Sequence, residues 1–91
     1  MKLSEALRKG AEKVGWRQAR FFMFRDKNGN EIYGSVTNPK NVHRACALGC
    51  IYLGGYRGGP IWEKGLDIAA KNDYQRWPLA KIADWLEEQG E

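Results

Sequence analysis

Ala45-Cys46-Ala47-Leu48-Gly49-Cys50-Ile51-Tyr52-Leu53-Gly54-Gly55-Tyr56 runs without a single charge, in a chain where 29% of residues are charged. A surface helix shows one apolar stripe, but here Val42, Ala45, Cys46, Gly49 and Leu53 make one face while Leu48, Ile51 and Tyr52 cover much of the rest. The stretch therefore reads as a helix packed on more than one side. Asn38-Pro39 supplies its start, with Asn38 as the cap and Pro39 at the first helical position, where a missing N–H costs nothing. The expectation is a buried helix from Pro39 to Leu53. Gly54-Gly55-Tyr56-Arg57-Gly58-Gly59-Pro60 then breaks regular structure.

Toward the amino terminus, Ala19 to Arg25 is dense in aromatics, and Glu31 to Val36 is a second apolar run. Asn28-Gly29 lies between them, the strongest short-range hairpin signal. A two-residue turn centred there pairs Phe24 with Tyr33. Neither face of such a hairpin is polar throughout, so a helix must cover one side and the other becomes a contact surface bearing Phe22, Phe24 and Tyr33. The piece Asp26 to Glu31 resembles a calcium loop superficially. Glu31 stands where that turn needs glycine, and Thr37 where the bidentate glutamate belongs, so no metal is expected.

Farther out, Ser4 is a natural N-cap for an amphipathic helix carrying Leu7, Ala11 and Val14. Gly15 can close it in the left-handed conformation, leaving Trp16 to fold back over the apolar stripe. After the glycine-rich loop, a helix is expected from Ile61 to Lys71, ended by Asn72-Asp73. A last one begins near Pro78, with Leu79, Ile82, Ala83 and Leu86 on one face and Gly90 as its stop. The expected fold is α+β: helix, β-hairpin, then three helices, around a buried central helix. At 91 residues this is one domain, 1–91, with the loop 54–60 internal to it.

Formal net charge is +4. Met1 to Arg25 holds seven basic and two acidic residues, whereas Ile61 to Glu91 holds four basic and seven acidic. If the first and last helices stand apart, the surface has a basic side that attracts phosphate-rich or acidic partners; if they lie close, they neutralise each other. The uncharged run is about half of the roughly 20 residues a bilayer span requires, and the amino terminus does not read as a signal peptide. A cytoplasmic protein without a membrane partner is expected.

Cys46 and Cys50 lie one turn apart, where a bridge would constrain almost nothing, so both are expected as reduced core thiols. His43, Cys46 and Cys50 at i, i+3 and i+7 invite a metal reading. On a helix rising 1.5 Å per residue, though, the outer two sit about 10 Å apart, too far to share tetrahedral zinc. A Cys46 nucleophile with His43 as base needs access that a packed interior denies. Neither a cofactor nor catalysis is expected. The candidate contact residues are the basic Arg8, Lys9, Lys13, Arg17, Arg20 and Arg25, the hairpin aromatics Phe22, Phe24 and Tyr33, and Tyr56 and Arg57 in the glycine loop.

Gly15-Trp16-Arg17-Gln18, the short-turn hairpin, Cys46-Ala47-Leu48-Gly49, Asn72-Asp73 and the final short helix together resemble a family of small phage and actinobacterial proteins catalogued only as a domain of unknown function. Where that family has a Trp before Asn-Asp this chain has Lys71, and in place of its Thr-rich start to the last helix stands Arg76-Trp77-Pro78. The resemblance implies an accessory protein, phage-encoded and placed in the host cytoplasm. The expected function is a non-catalytic binding protein that inhibits or modulates a host protein or nucleoprotein complex, such as a defence effector, by occlusion. The alternatives are a nucleic-acid-binding accessory protein, a binder of a small anionic nucleotide at the glycine loop and, last, a cysteine-dependent enzyme. The apolar hairpin face equally suits a homodimer.

Overall fold

The first helix, α1 (Leu3–Lys13), buries Leu3, Ala6, Leu7 and Ala11 along one side. Ser4 does not cap it: Lys2 is the N-cap and makes no side-chain cap bond, while Ser4 sits one residue inside the helix, its N–H donating to the Glu91 carbonyl at 3.1 Å. The far end follows the expected chemistry. Val14 is the C-cap, Gly15 takes a φ of 59°, and Trp16 N–H and Gly15 N–H donate to the carbonyls of Ala11 and Glu12, a Schellman closure. Trp16 itself has a φ of 60° and is 42% exposed, so it does not fold down over the stripe.

The structure, a computed structural model, describes residues 1–32, 39–57 and 61–91, with the side chains of Pro39, Ile61 and Trp62 left aside. Strand β1 (Phe24–Arg25) pairs antiparallel with β2 (Arg44–Ala45), Phe24 opposite Ala45 and Arg25 opposite Arg44. Ala45 is held from its other side as well, accepting from Ala19 N–H and donating to the Arg17 carbonyl. The tight turn does form at Asn28-Gly29, but one residue out of the expected register. Asp26 Oδ1 accepts from both Asn28 N–H and Asn30 N–H at 2.9 Å, Gly29 adopts a φ of 82°, and Ile32 N–H bonds back to the Phe24 carbonyl. An Asx turn with glycine in the left-handed region favours this three-residue connection over the two-residue one. Ile32 therefore takes the place opposite Phe24, and Tyr33 lies outside the described residues.

The central helix is shorter than expected. Pro39–Asn41 form only a 3₁₀ turn, and α2 spans Ala47–Leu53. Arg44 and Ala45 are drawn into the strand pairing, so the chain is still extended at Cys46, which becomes the N-cap with its Sγ accepting from Gly49 N–H at 3.4 Å. The burial assignment stands: Ala47, Gly49, Cys50, Ile51 and Leu53 are all buried. Helices α3 (Ile61–Asp73) and α4 (Leu79–Glu88) complete the α+β fold in the expected order of helix, hairpin and three helices. One core joins Leu7, Phe24, Ile51, Ile68, Ile82 and Leu86.

Two glycines set how closely α1 and α2 cross. A Cβ placed on Gly10 would overlap the Cys50 carbonyl, and one on Gly54 would overlap that of Ala6. Backbone meets backbone at this crossing. Asn72, near the end of α3, is the polar counterpart: 1% exposed, it accepts at Oδ1 from Gln18 Nε2 (2.8 Å) and Ala47 N–H (3.0 Å) and donates from Nδ2 to the Ala19 carbonyl (3.0 Å) and Asp73 Oδ1 (2.7 Å). Sequence spacing suggested a capping turn there. Asn72 instead ties the first residue of α2 to the loop that leads into β1.

Candidate functional site

Where α1 ends, the chain must cross to β1, and the Schellman turn at Gly15 and Trp16 sends Arg17 back toward the 3₁₀ turn. Arg17 Nε donates to the His43 carbonyl at 2.7 Å. Lys13, on the last turn of α1, reaches the other way and donates from Nζ to the Leu53 carbonyl at 2.8 Å, satisfying the end of α2. Opposite these two, the Asp26–Asn30 turn presents Lys27 and Asn28, and the segment after the 3₁₀ turn presents His43 behind Lys40 and Asn41. These side chains, floored by Ile32 and Val42, enclose a groove of about 730 Å³.

Among the described residues, Arg17, Lys27 and Lys40 line this space together with Lys13, whose ammonium is held by the Leu53 carbonyl, against the one carboxylate of Asp26. That carboxylate is turned to its own loop, accepting two backbone N–H groups. The groove is thus cationic by arrangement, not by count alone. A cleft lined by one sign of charge concentrates counter-ions and speeds the arrival of anionic partners.

The remaining expected contact residues scatter. Arg8 is paired across to α4, its Nη2 2.7 Å from Asp84 Oδ1 and 3.2 Å from Glu87 Oε2. The first and last helices thus lie against each other, and the neutralising arrangement is the one realised at this position. Lys9 pairs with Glu5 at 3.5 Å one turn earlier. Arg25 donates to the Gly29 carbonyl at 2.6 Å and lies over the Phe22 ring, 4.6 Å from its centroid. Arg20 is half-buried, and its Nε has no hydrogen-bond partner among the described residues.

Phe24 is a correction. It is 4% exposed and packs edge-on against Tyr52, because Gly49 leaves room for its ring: a Cβ there would stand 2.9 Å from Phe24 Cε1. It belongs to the core and not to an outer face. Tyr56 packs against that core, and Arg57 closes the end of α2, donating to the Tyr52 and Tyr56 carbonyls with its guanidinium 4.2 Å from the Tyr52 ring centroid. Gly58 to Pro60 lie outside the described residues. Of the expected residues that are described, Lys13 and Arg17 meet in the groove; Lys27, Asn28, Lys40 and Asn41 were not singled out by sequence. The Asn-Gly turn could have pointed to Lys27, its neighbour, but nothing local marks Lys40.

The thiols take no part. Cys46 is 7% exposed and burial pushes its pKa up to about 11; burial, then the neighbouring Cys46, push Cys50 to about 12. His43 lines the groove while Cys46 is buried behind it, and His43 and Cys46 both precede α2, so the shared helical face that would have aligned them with Cys50 does not exist. Among the described residues no group of three or more His, Cys, Asp or Glu side chains is placed to hold a metal, and no helix is long and apolar enough to cross a membrane.

Two other surface clusters are filled from within. Lys71 and Lys81 place their ammonium groups each 4.1 Å from the ring centroids of Trp85 and Trp77 respectively, so the chain's own cations occupy these tryptophan faces. Phe21, 57% exposed with a φ of 70°, is fixed by its N–H donating to Asp73 Oδ1 at 2.8 Å and meets Tyr74 edge-on. Comparison with protein-family models, with curated proteins and with solved structures finds no match to this chain.

Proposed function

We propose that this chain is a non-catalytic binding protein that modulates a macromolecular partner by occupying it, and that the cationic groove is where the partner docks. The observation that carries this is the convergence of Lys13, Arg17, Lys27 and Lys40 on one space while Asp26 is engaged by its own turn. The basic and aromatic exterior expected from sequence contracts to this smaller surface, since Arg8 and Lys9 are paired and Phe24 is interior. The resemblance to small phage proteins rests on the residues quoted for it, and on that footing the partner is a host component such as a defence effector. The same cations suit a nucleic-acid-binding accessory protein, which is the second reading.

The two separate in a pull-down from host lysate with and without nuclease, run with the wild-type chain and with Lys27→Glu. Lys27 is exposed at the turn, so the substitution leaves the core alone. Recovery of one protein that survives nuclease and is lost with Lys27→Glu is the expected result. Recovery that nuclease abolishes favours nucleic acid. A partner retained equally by the variant removes the groove from the proposal.

A further inference from the structure

The groove has a chemistry more specific than positive charge. Its volume of about 730 Å³ falls within the range of ligand pockets, roughly 300–1,000 Å³, but above the apolar floor of Ile32 and Val42 its lining residues are mostly cationic or carboxamide-bearing. Three of its four cationic side chains are lysines, compact point charges suited to phosphate oxygens, and of these Lys13 already donates to the Leu53 carbonyl. Arg17, the residue best fitted to grip a carboxylate side-on, has already committed Nε to the His43 carbonyl, which leaves only its terminal nitrogens. Asn28 and Asn41 add neutral donors at the rim, and among the described residues the ring on the groove wall is the His43 imidazole. Arg17 lies close to Gly15, where a Cβ would stand 3.0 Å from its Nη1.

We infer that the groove formed by Lys13, Arg17, Lys27, Lys40 and His43 is a binding site for a linear oligophosphate, either free or as the tail of a nucleotide. Several cationic side chains lining one groove match the charge density of a short polyanion better than that of a single carboxylate. The inference rests on the groove being the ligand-facing surface, as in the function proposed above, but it names a small ligand in a place distinct from the glycine loop. The described lining offers a base the His43 imidazole alone, so the phosphates supply most of the affinity.

The test is calorimetric titration of the full chain with inorganic tripolyphosphate, a nucleoside triphosphate, the corresponding monophosphate and a short duplex oligonucleotide. Wild type is set beside Lys27→Glu and Lys2→Glu, the latter carrying the same charge change at the opposite end of α1, about 16 Å from Lys13 at 1.5 Å per residue. Expected are tripolyphosphate binding at least tenfold tighter than the monophosphate, a loss of tenfold or more in Lys27→Glu, and a change under twofold in Lys2→Glu. Equal affinity for tripolyphosphate and the triphosphate identifies free oligophosphate as sufficient; a tenfold preference for the triphosphate identifies the nucleotide as the source. No binding of tripolyphosphate, equal losses in both variants, or binding of the duplex alone overturns the proposal. If tripolyphosphate fails while Lys27→Glu still abolishes partner capture, the docking role of the groove survives and the oligophosphate does not.

Discussion

Asn72 spends every hydrogen-bonding position of its amide inside the protein, two as acceptor and two as donor. Each of its bonds replaces one that water would have made, so its net contribution is modest; removing it is another matter. Asn72→Ala leaves the Ala47 N–H and Ala19 carbonyl without their partner in a place that is 1% exposed. Each buried polar group stranded in this way costs about 1–3 kcal/mol, so a loss of about 2–6 kcal/mol in urea denaturation is expected. A variant that melts like the wild type would show that water replaces the amide. Nothing in the sequence announces this role, because Gln18, Ala19 and Ala47 lie 25 to 54 positions away from it.

At the scale of elements, the crossing of α1 and α2 turns on Gly10 and Gly54. Replacing an interior helical glycine by alanine ordinarily stabilises a helix by about 0.8–1 kcal/mol. At Gly10 the added methyl meets the Cys50 carbonyl, which is backbone within a neighbouring helix and cannot swing aside. Forcing the helices apart costs about 1–3 kcal/mol, as overfilled cores do, so Gly10→Ala is expected to lower the melting temperature despite its better propensity. A rise would mean the crossing is loose. Gly10 looks like a mild weakness when α1 is read alone, and only the neighbour explains it. The buried middle, the Asn28-Gly29 turn, the Gly15 closure and the last helix were all legible, because each is written in local spacing. The start of α2 was not: apolar Ala45 and Cys46 suit either helix or strand, and what decides for the strand is pairing with Phe24 and Arg25, about twenty residues earlier.

For the molecule as a whole, charge is sorted by folding more than by sequence. Packing α1 against α4 draws Arg8 toward Asp84 and Glu87, while Lys13 and Arg17, a few residues on, turn to the groove. The site was therefore half legible, its first two cations standing in the basic quarter and its other two brought in from turns. The buried thiols give the whole fold a pH signature. Both pKa values are raised above 9.0 in the folded state, so as pH climbs past about 9 the unfolded chain loses protons that the native one keeps, and stability falls until about 11 to 12. Urea midpoints recorded from neutral to alkaline pH should show this decline, and replacing both cysteines by alanine should flatten it. An unchanged slope would assign the decline to other groups. The Asn28-Gly29 turn carries a last consequence, in time. Asn followed by Gly is the sequence most prone to spontaneous deamidation, and Asn28 is exposed at the rim of the groove. Each such event expels ammonia and leaves an aspartate or isoaspartate carboxylate in place of a neutral amide beside the lysines, so an ageing population of molecules would progressively lose its grip on anions.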